Sequence, residues 1–109
     1  MLLDMKAQMY ICTLAETGNY QEAAKKLYIS QPNLSVFIKK LEETMGLQFF
    51  IRTQKKVELT YAGEILVNAC RKMLNTETEL EEALSLYKRG IKGTIRMGTY
   101  LRLTPFFLP

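Results

Sequence analysis

Between Leu27 and Pro32 the stretch "LYISQP" ends one helical pattern and starts another within a few residues, and that interruption limits what this chain can become. Before it, "YQEAAKKLYI" presents Tyr20, Ala23, Ala24 and Leu27 on one face at helical spacing. After it, Leu34, Ile38, Leu41 and Met45 stack on one side of a helix that Gly46 stops. Ser30 is a good N-cap, and Pro32 falls in the first turn, where its missing N–H costs nothing. Helices joined this tightly meet at a sharp angle, and the paired alanines allow close approach. Helix, tight turn, helix is an outline shared by DNA-binding domains and by purely structural bundles.

A first helix is expected from about Leu3 to Thr17, with Ala7, Ile11, Leu14 and Ala15 as its stripe and Gly18 as a left-handed stop. Asn19 then caps the second helix, with Glu22 as the return half of a capping box. Beyond Gly46 the period changes. In "LQFFIRTQKKVELT", Phe49, Phe50 and Ile51 favour a strand, "TQKK" a polar turn, and Val57 and Leu59 alternate with polar residues. The result is a hairpin with Arg52 at its base and Lys55 and Lys56 at its tip. A lysine pair alone can be a solvated turn; three helices followed by a basic hairpin make a winged helix.

From Thr60, read as a cap, to Arg89 runs one helical pattern without proline, which Gly90 ends. At about 1.5 Å per residue it would be roughly 45 Å long, too long to bury against a domain of this size. Ala62, Leu66, Ala69, Met73, Thr76, Leu80, Ala83 and Tyr87 recur in steps of four and three, the spacing of a coiled-coil seam, and Ile65, Cys70 and Leu84 widen it. With no second long helix in the sequence, the expected partner is another copy. The tail reads as a strand from Thr94 to Met97 and an apolar segment with Leu101, Leu103, Phe106 and Phe107, the opening of a domain this chain does not include. The expected organisation is 1–59, a winged helix-turn-helix; 60–90, a long linker and dimerisation helix; and 91–109, a hinge and truncated start of an α/β effector-binding domain.

At 109 residues and 48% apolar content the chain can build one real core. The absence of histidine excludes catalytic dyads and triads that need imidazole, and neither paired carboxylates in a motif nor a glycine-rich phosphate loop is present, so an enzyme is not expected. No run of about 18 apolar residues suits a membrane span, and "MLLDMKAQ" lacks the pattern of a secretory signal, so a cytoplasmic protein is expected. Cys12 and Cys70 share no metal-like spacing and read as reduced, packed thiols. The net charge of +4 suits a nucleic-acid partner without requiring one.

With these pieces placed, the sequence resembles the N-terminal region of LysR-type bacterial transcriptional regulators. The resemblance is carried by "YQEAAKKLYISQPNLS", "IKKLEETMGLQFFIRT" and "VELTYAGE", which match the family's Ala-Ala, Ser-Gln-Pro, Leu-Ser, Leu-Glu, Gly, Phe, Arg, Leu-Thr and Ala-Gly from about Asn19 to Glu64. It implies a mainly α winged helix-turn-helix whose following helix pairs two subunits. It also implies a small-molecule effector sensed by two α/β lobes at full length, where higher oligomers are open, and no cofactor in this chain. The related molybdate-responsive regulators share the winged helix and differ in the sensor.

By the resemblance Ser30, Gln31, Pro32 and Ser35 face DNA, Arg52 is the arginine at the wing, and Lys55 and Lys56 are its basic tip. The face opposite the apolar stripe carries Pro32, Val36, Lys39, Lys40 and Glu43, flanked by Asn33 and Ser35. Asn33 joins the DNA-facing set, and Lys39 and Lys40 are expected to contact phosphate rather than bases. The family often has arginine and then glutamine after Leu-Ser; here Val36 and Phe37 stand there. Phe37, on the flank of the stripe, is expected to pack. Val36, apolar on a polar face, is either an accident of an exposed surface or a reader of a thymine methyl. The expected partners are double-stranded DNA with dyad-related half-sites and a second copy of the chain. The rival is a winged helix serving protein–protein contact, with its basic residues only solvating it.

Overall fold

The computed structural model describes residues 3–91, so the expected strand at Thr94–Met97 and the segment from Leu101 to Phe107 lie outside the described residues. The chain divides into two units, Met1–Asn75 and Thr76–Pro109. Helices α1 (Met5–Thr17), α2 (Tyr20–Leu27) and α3 (Gln31–Met45) precede an antiparallel hairpin of β1 (Phe50–Arg52) and β2 (Val57–Leu59), and α4 (Tyr61–Leu86) follows. The order is that of a winged helix, as the sequence implies.

Local chemistry sets most boundaries. The Asp4 side chain accepts the Ala7 N–H at 2.8 Å, so α1 begins at Met5 rather than at Leu3. Gly18 closes it with φ of 65°. Asn19 caps α2 by accepting the Glu22 N–H at 2.9 Å, but its own N–H goes to Thr17 Oγ1 (3.4 Å), not to the Glu22 side chain expected to return the bond. α2 stops at Leu27, two residues short of the expected Ile29. There Tyr28 adopts φ of 59°, and the Ile29 N–H returns to the Ala24 carbonyl at 3.0 Å. Only three residues therefore separate α2 from α3. Ser30 accepts the Asn33 N–H at 3.2 Å, Pro32 sits in the first turn, and Gly46 ends α3 with φ of 70°.

In the first unit, one core joins Ile11 and Leu14 of α1, Ala23 and Ala24 of α2, Leu34, Ile38 and Leu41 of α3, Phe49 and Phe50, and Leu66, Val67 and Cys70 of α4. The strand register pairs Phe50 with Leu59 and Arg52 with Val57. Glu42 links α3 to the hairpin, its Oε2 accepting the N–H groups of Phe49 (2.8 Å) and Phe50 (3.1 Å). Thr60 does more than cap α4: its hydroxyl accepts the Gly63 N–H at 2.9 Å and donates to the Gln48 carbonyl at 2.6 Å. The fold thus roots α4 in the same core as the three short helices. Gly63 is needed there, because a Cβ would run into the Phe49 carbonyl oxygen.

That rooting corrects one expectation. Leu66, read as a seam residue, is 6% exposed in the domain's own core and has almost no surface left for a partner. Cys70 is buried beside it, and Ala62 is half-buried. The exposed apolar residues of α4 in the first unit are Tyr61, Ile65, Ala69 and Met73. In the second unit, Thr76, Leu80, Ala83, Leu84 and Leu86 of α4 are exposed, and so is Tyr87 just after it. The regular α-helix ends at Leu86, short of the expected Arg89. A π turn over Tyr87–Ile91 follows, in which Gly90 leaves helical geometry with φ of 90°.

Candidate nucleic-acid interface

The apolar stripe of α3 fixes which of its residues meet solvent. With Leu34, Ile38 and Leu41 in the core, Pro32, Asn33, Val36, Lys39 and Lys40 are exposed, while Ser30 caps the helix from an exposed position. Val36 is 64% exposed, opposite the stripe. Gln31 and Ser35 are partly buried where the helix meets its neighbours. Phe37 packs, its ring edge-on to Tyr10 at 4.8 Å between centroids, with the Lys6 ammonium 5.7 Å from both rings.

The hairpin is held at both ends of its turn. The Thr53 N–H and hydroxyl both donate to the Lys56 carbonyl at 2.8 Å, and the Lys56 N–H donates to Thr53 Oγ1 at 3.2 Å. At the base of β2 the Val57 N–H donates to the Gly18 carbonyl at 2.8 Å, tying the wing to the turn between α1 and α2. Gly18 was read only as a helix stop. Its carbonyl is also the wing's anchor.

Between these elements lies a polar groove of about 390 Å³, lined by Gly18–Gln21, by Gln31 at the start of α3 and by Arg52–Val57. The structure therefore brings Gln31, Arg52, Lys55 and Lys56 around one groove. Lys40 lies elsewhere, lining a small cavity of about 160 Å³ with Asp4, Phe37 and Leu41. Gln21, on the groove wall, and Tyr20 were not among the sequence candidates.

Arg52 is exposed but leans back on the domain. Its guanidinium carbon sits 4.1 Å from the centre of the Tyr20 ring, and Nη2 donates to Ser35 Oγ at 3.1 Å. Burial pushes the Tyr20 phenol above its ordinary range and Glu42 adds to this, while the charge of Arg52 and its hydrogen bond oppose it. Both thiols are free and buried. Burial raises Cys70 to about 11 with Cys12 contributing, and burial raises Cys12 against the opposing charge of Arg71. Among the described residues no cluster of three or more Cys, Asp or Glu could hold a metal ion.

Three short helices, a tight turn before an exposed third helix and a basic hairpin leaning on the same side define a winged helix-turn-helix. Residues 5–64 match the family model described as the bacterial regulatory helix-turn-helix protein, lysR family, and the chain belongs to that family. The chain is 38% identical over 95 residues to the HTH-type transcriptional regulator XapR of Escherichia coli (strain K12), covering 87% of this chain and 32% of that protein. To AlsR of Bacillus subtilis (strain 168) it is 36% identical over 107 residues, covering 98% of this chain and 35% of that one. It thus spans about a third of the length of these relatives. Among solved structures, a BenM_DBD/catB site 1 DNA complex matches with a TM-score of 0.67 at 30% identity, covering 80% of this chain and 93% of that one. A CbnR_DBD–DNA complex matches with a TM-score of 0.69 at 27% identity, covering 79% and 99%.

Proposed function

We propose that this chain is the DNA-binding region of a sequence-specific transcriptional regulator, acting as a homodimer on double-stranded DNA with dyad-related half-sites. The observation that carries the reading is the joint placement of Gln31 on α3 and of Arg52, Lys55 and Lys56 on the wing around one polar groove. A helix with a polar exposed face enters the major groove, and a basic hairpin beside it reaches the flanking backbone or minor groove. Ser30, Gln31, Pro32, Asn33 and Ser35 form the leading end of that face, and Lys39 and Lys40 supply phosphate contacts. Val36 packs on a thymine methyl, which marks A·T pairs in the major groove.

Dimerisation runs along α4. With Leu66 removed from the seam, the alternating repeat still runs through Ala69, Met73, Thr76, Leu80, Ala83 and Tyr87, and Ile65 adds exposed apolar surface beside its start. At full length a small-molecule effector domain follows, and the regulator works in the cytoplasm; among the described residues no helix is long and apolar enough to cross a membrane.

Binding of duplex DNA measured against salt tests the reading. The logarithm of affinity should fall linearly with the logarithm of salt, by about 0.9 for each phosphate neutralised. Alanine at Arg52, Lys55 and Lys56 should weaken binding to all sequences and make that slope shallower, with the fold intact. Affinity indifferent to salt, or a triple variant that binds as well at low salt, overturns the assignment in favour of a protein-contact module.

A further inference from the structure

A serine hydroxyl beside a base edge is ambiguous, because it can donate one proton and accept two, and so it pairs with either kind of base group. Ser35 is not in that position. Arg52 Nη2 donates to its oxygen at 3.1 Å, and a guanidinium never accepts, so the Ser35 proton cannot be returned to it. The other usual outlet for a helical serine is a carbonyl one turn back. Among the described residues Ser35 makes no such bond, and its side chain pairs with Arg52. A hydroxyl oxygen engaged by a cation is a weaker acceptor, and its O–H is a stronger donor.

The arginine is held in place at its side chain and at its backbone. Its guanidinium carbon lies over the half-buried Tyr20 ring, 4.1 Å from the centroid. Its backbone pairs with Val57 in the hairpin, and the Val57 N–H is tied to the Gly18 carbonyl at 2.8 Å. The geometry of wing, α2 and recognition helix therefore converges on one hydroxyl.

We propose that Arg52 is a positioning residue that biases the polarity of Ser35, making it act mainly as a hydrogen-bond donor toward the DNA bases. The proposal rests on α3 being the base-facing helix. In the major groove guanine offers O6 and N7 as acceptors, thymine O4 and adenine N7, whereas cytosine offers only the N4 donor. Ser35 so polarised favours guanine, thymine or adenine at its position and disfavours cytosine. The wing arginine, one element away, thus helps set sequence preference on the recognition helix.

The test is selection from duplexes carrying a randomised window, with the bound fraction sequenced, for the wild-type chain, Arg52→Met, Ser35→Ala, the double variant and Ser35→Thr. Wild type should deplete cytosine about fivefold at one position of each half-site, the size of one hydrogen bond gained or lost. Arg52→Met and Ser35→Ala should each abolish that depletion at the same position. The double variant should do no more there, and Ser35→Thr, which keeps the hydroxyl, should retain it. Melting curves for all five check that the fold survives. An Arg52→Met protein that binds every sequence less tightly yet still rejects cytosine there overturns the proposal, as does a Ser35→Ala profile identical to wild type. If the wild-type chain enriches no sequence at all, the DNA-binding reading itself fails and takes this proposal with it, a result distinct from either.

Discussion

Replacing Gly63 with alanine adds one methyl to the first turn of α4, and helix propensity by itself favours the change by up to about 1 kcal/mol. The structure predicts the opposite sign. The new Cβ would overlap the Phe49 carbonyl oxygen, and it would also come within 3.0 Å of the Phe49 carbonyl carbon and 3.1 Å of Leu59 Cδ2. Two of these atoms are backbone, so no rotamer change relieves the overlap. The helix start must retreat from the hairpin, at an overpacking cost of about 1–3 kcal/mol. The retreat also stretches the bonds from the Thr60 N–H to the Phe49 carbonyl (3.0 Å) and from the Thr60 hydroxyl to the Gln48 carbonyl (2.6 Å), each worth about 1 kcal/mol. After the propensity gain the net loss is about 2–3 kcal/mol, or about 10–20 °C in melting temperature for a domain of this size. Urea denaturation followed by far-UV circular dichroism reads it directly. Gly46→Ala is the control: its φ of 70° is strained for alanine, but the space around it is open, so only the left-handed cost of about 1–2 kcal/mol applies. Gly63→Ala as stable as wild type would refute the close-approach reasoning.

Val36→Ala should cost on the order of 1 kcal/mol of binding at a single A·T position, with thermal stability unchanged because the side chain is exposed. Comparing thymine with uracil at each operator position checks it, since the loss on removing the methyl should vanish in the variant. Stability should decline as pH rises from 9 toward 11: with the Cys70 thiol moved from 9.0 to about 11, the folded state binds more protons than the unfolded state across that window. Cys70→Ala should flatten this decline in denaturation curves taken at pH 8 and above. For assembly, Leu80→Glu should turn dimers into monomers in light scattering at concentrations on the order of tens of micromolar, whereas Leu66→Ala should lower thermal stability, by about 2–5 kcal/mol, without acting through the seam.

The parts of the fold legible in the sequence are those whose causes are local. Gly18, Asn19, Ser30, Gly46 and Thr60 act within a turn of their own position, so their roles as stops and caps can be read from neighbours. Leu66 shows where that reading stops. A stripe at helical spacing says that a face of α4 is covered, and not whether its own core or a partner covers it. Glu42, Gly63 and the contact of Tyr20, Ser35 and Arg52 were invisible for a related reason. Each joins positions far apart in the chain, with no period to announce it. Within the candidate site the exposed face of α3 was legible from the position of its stripe, whereas the contacts of Arg52 with Tyr20 and Ser35 were not.

The anchoring of the wing has an entropic consequence for binding. Thr53 and Lys56 close the hairpin turn on itself, and the Val57–Gly18 bond fixes its base to the helices. Ordering a free loop costs about 1–2 kcal/mol for each residue of backbone fixed on docking. Here that cost was met when the domain folded, and only the side-chain rotamers of Lys55 and Lys56 are left to freeze, at about 0.5–1.5 kcal/mol each. On the proposed reading, the two charges would meet a duplex from a frame whose backbone is already fixed.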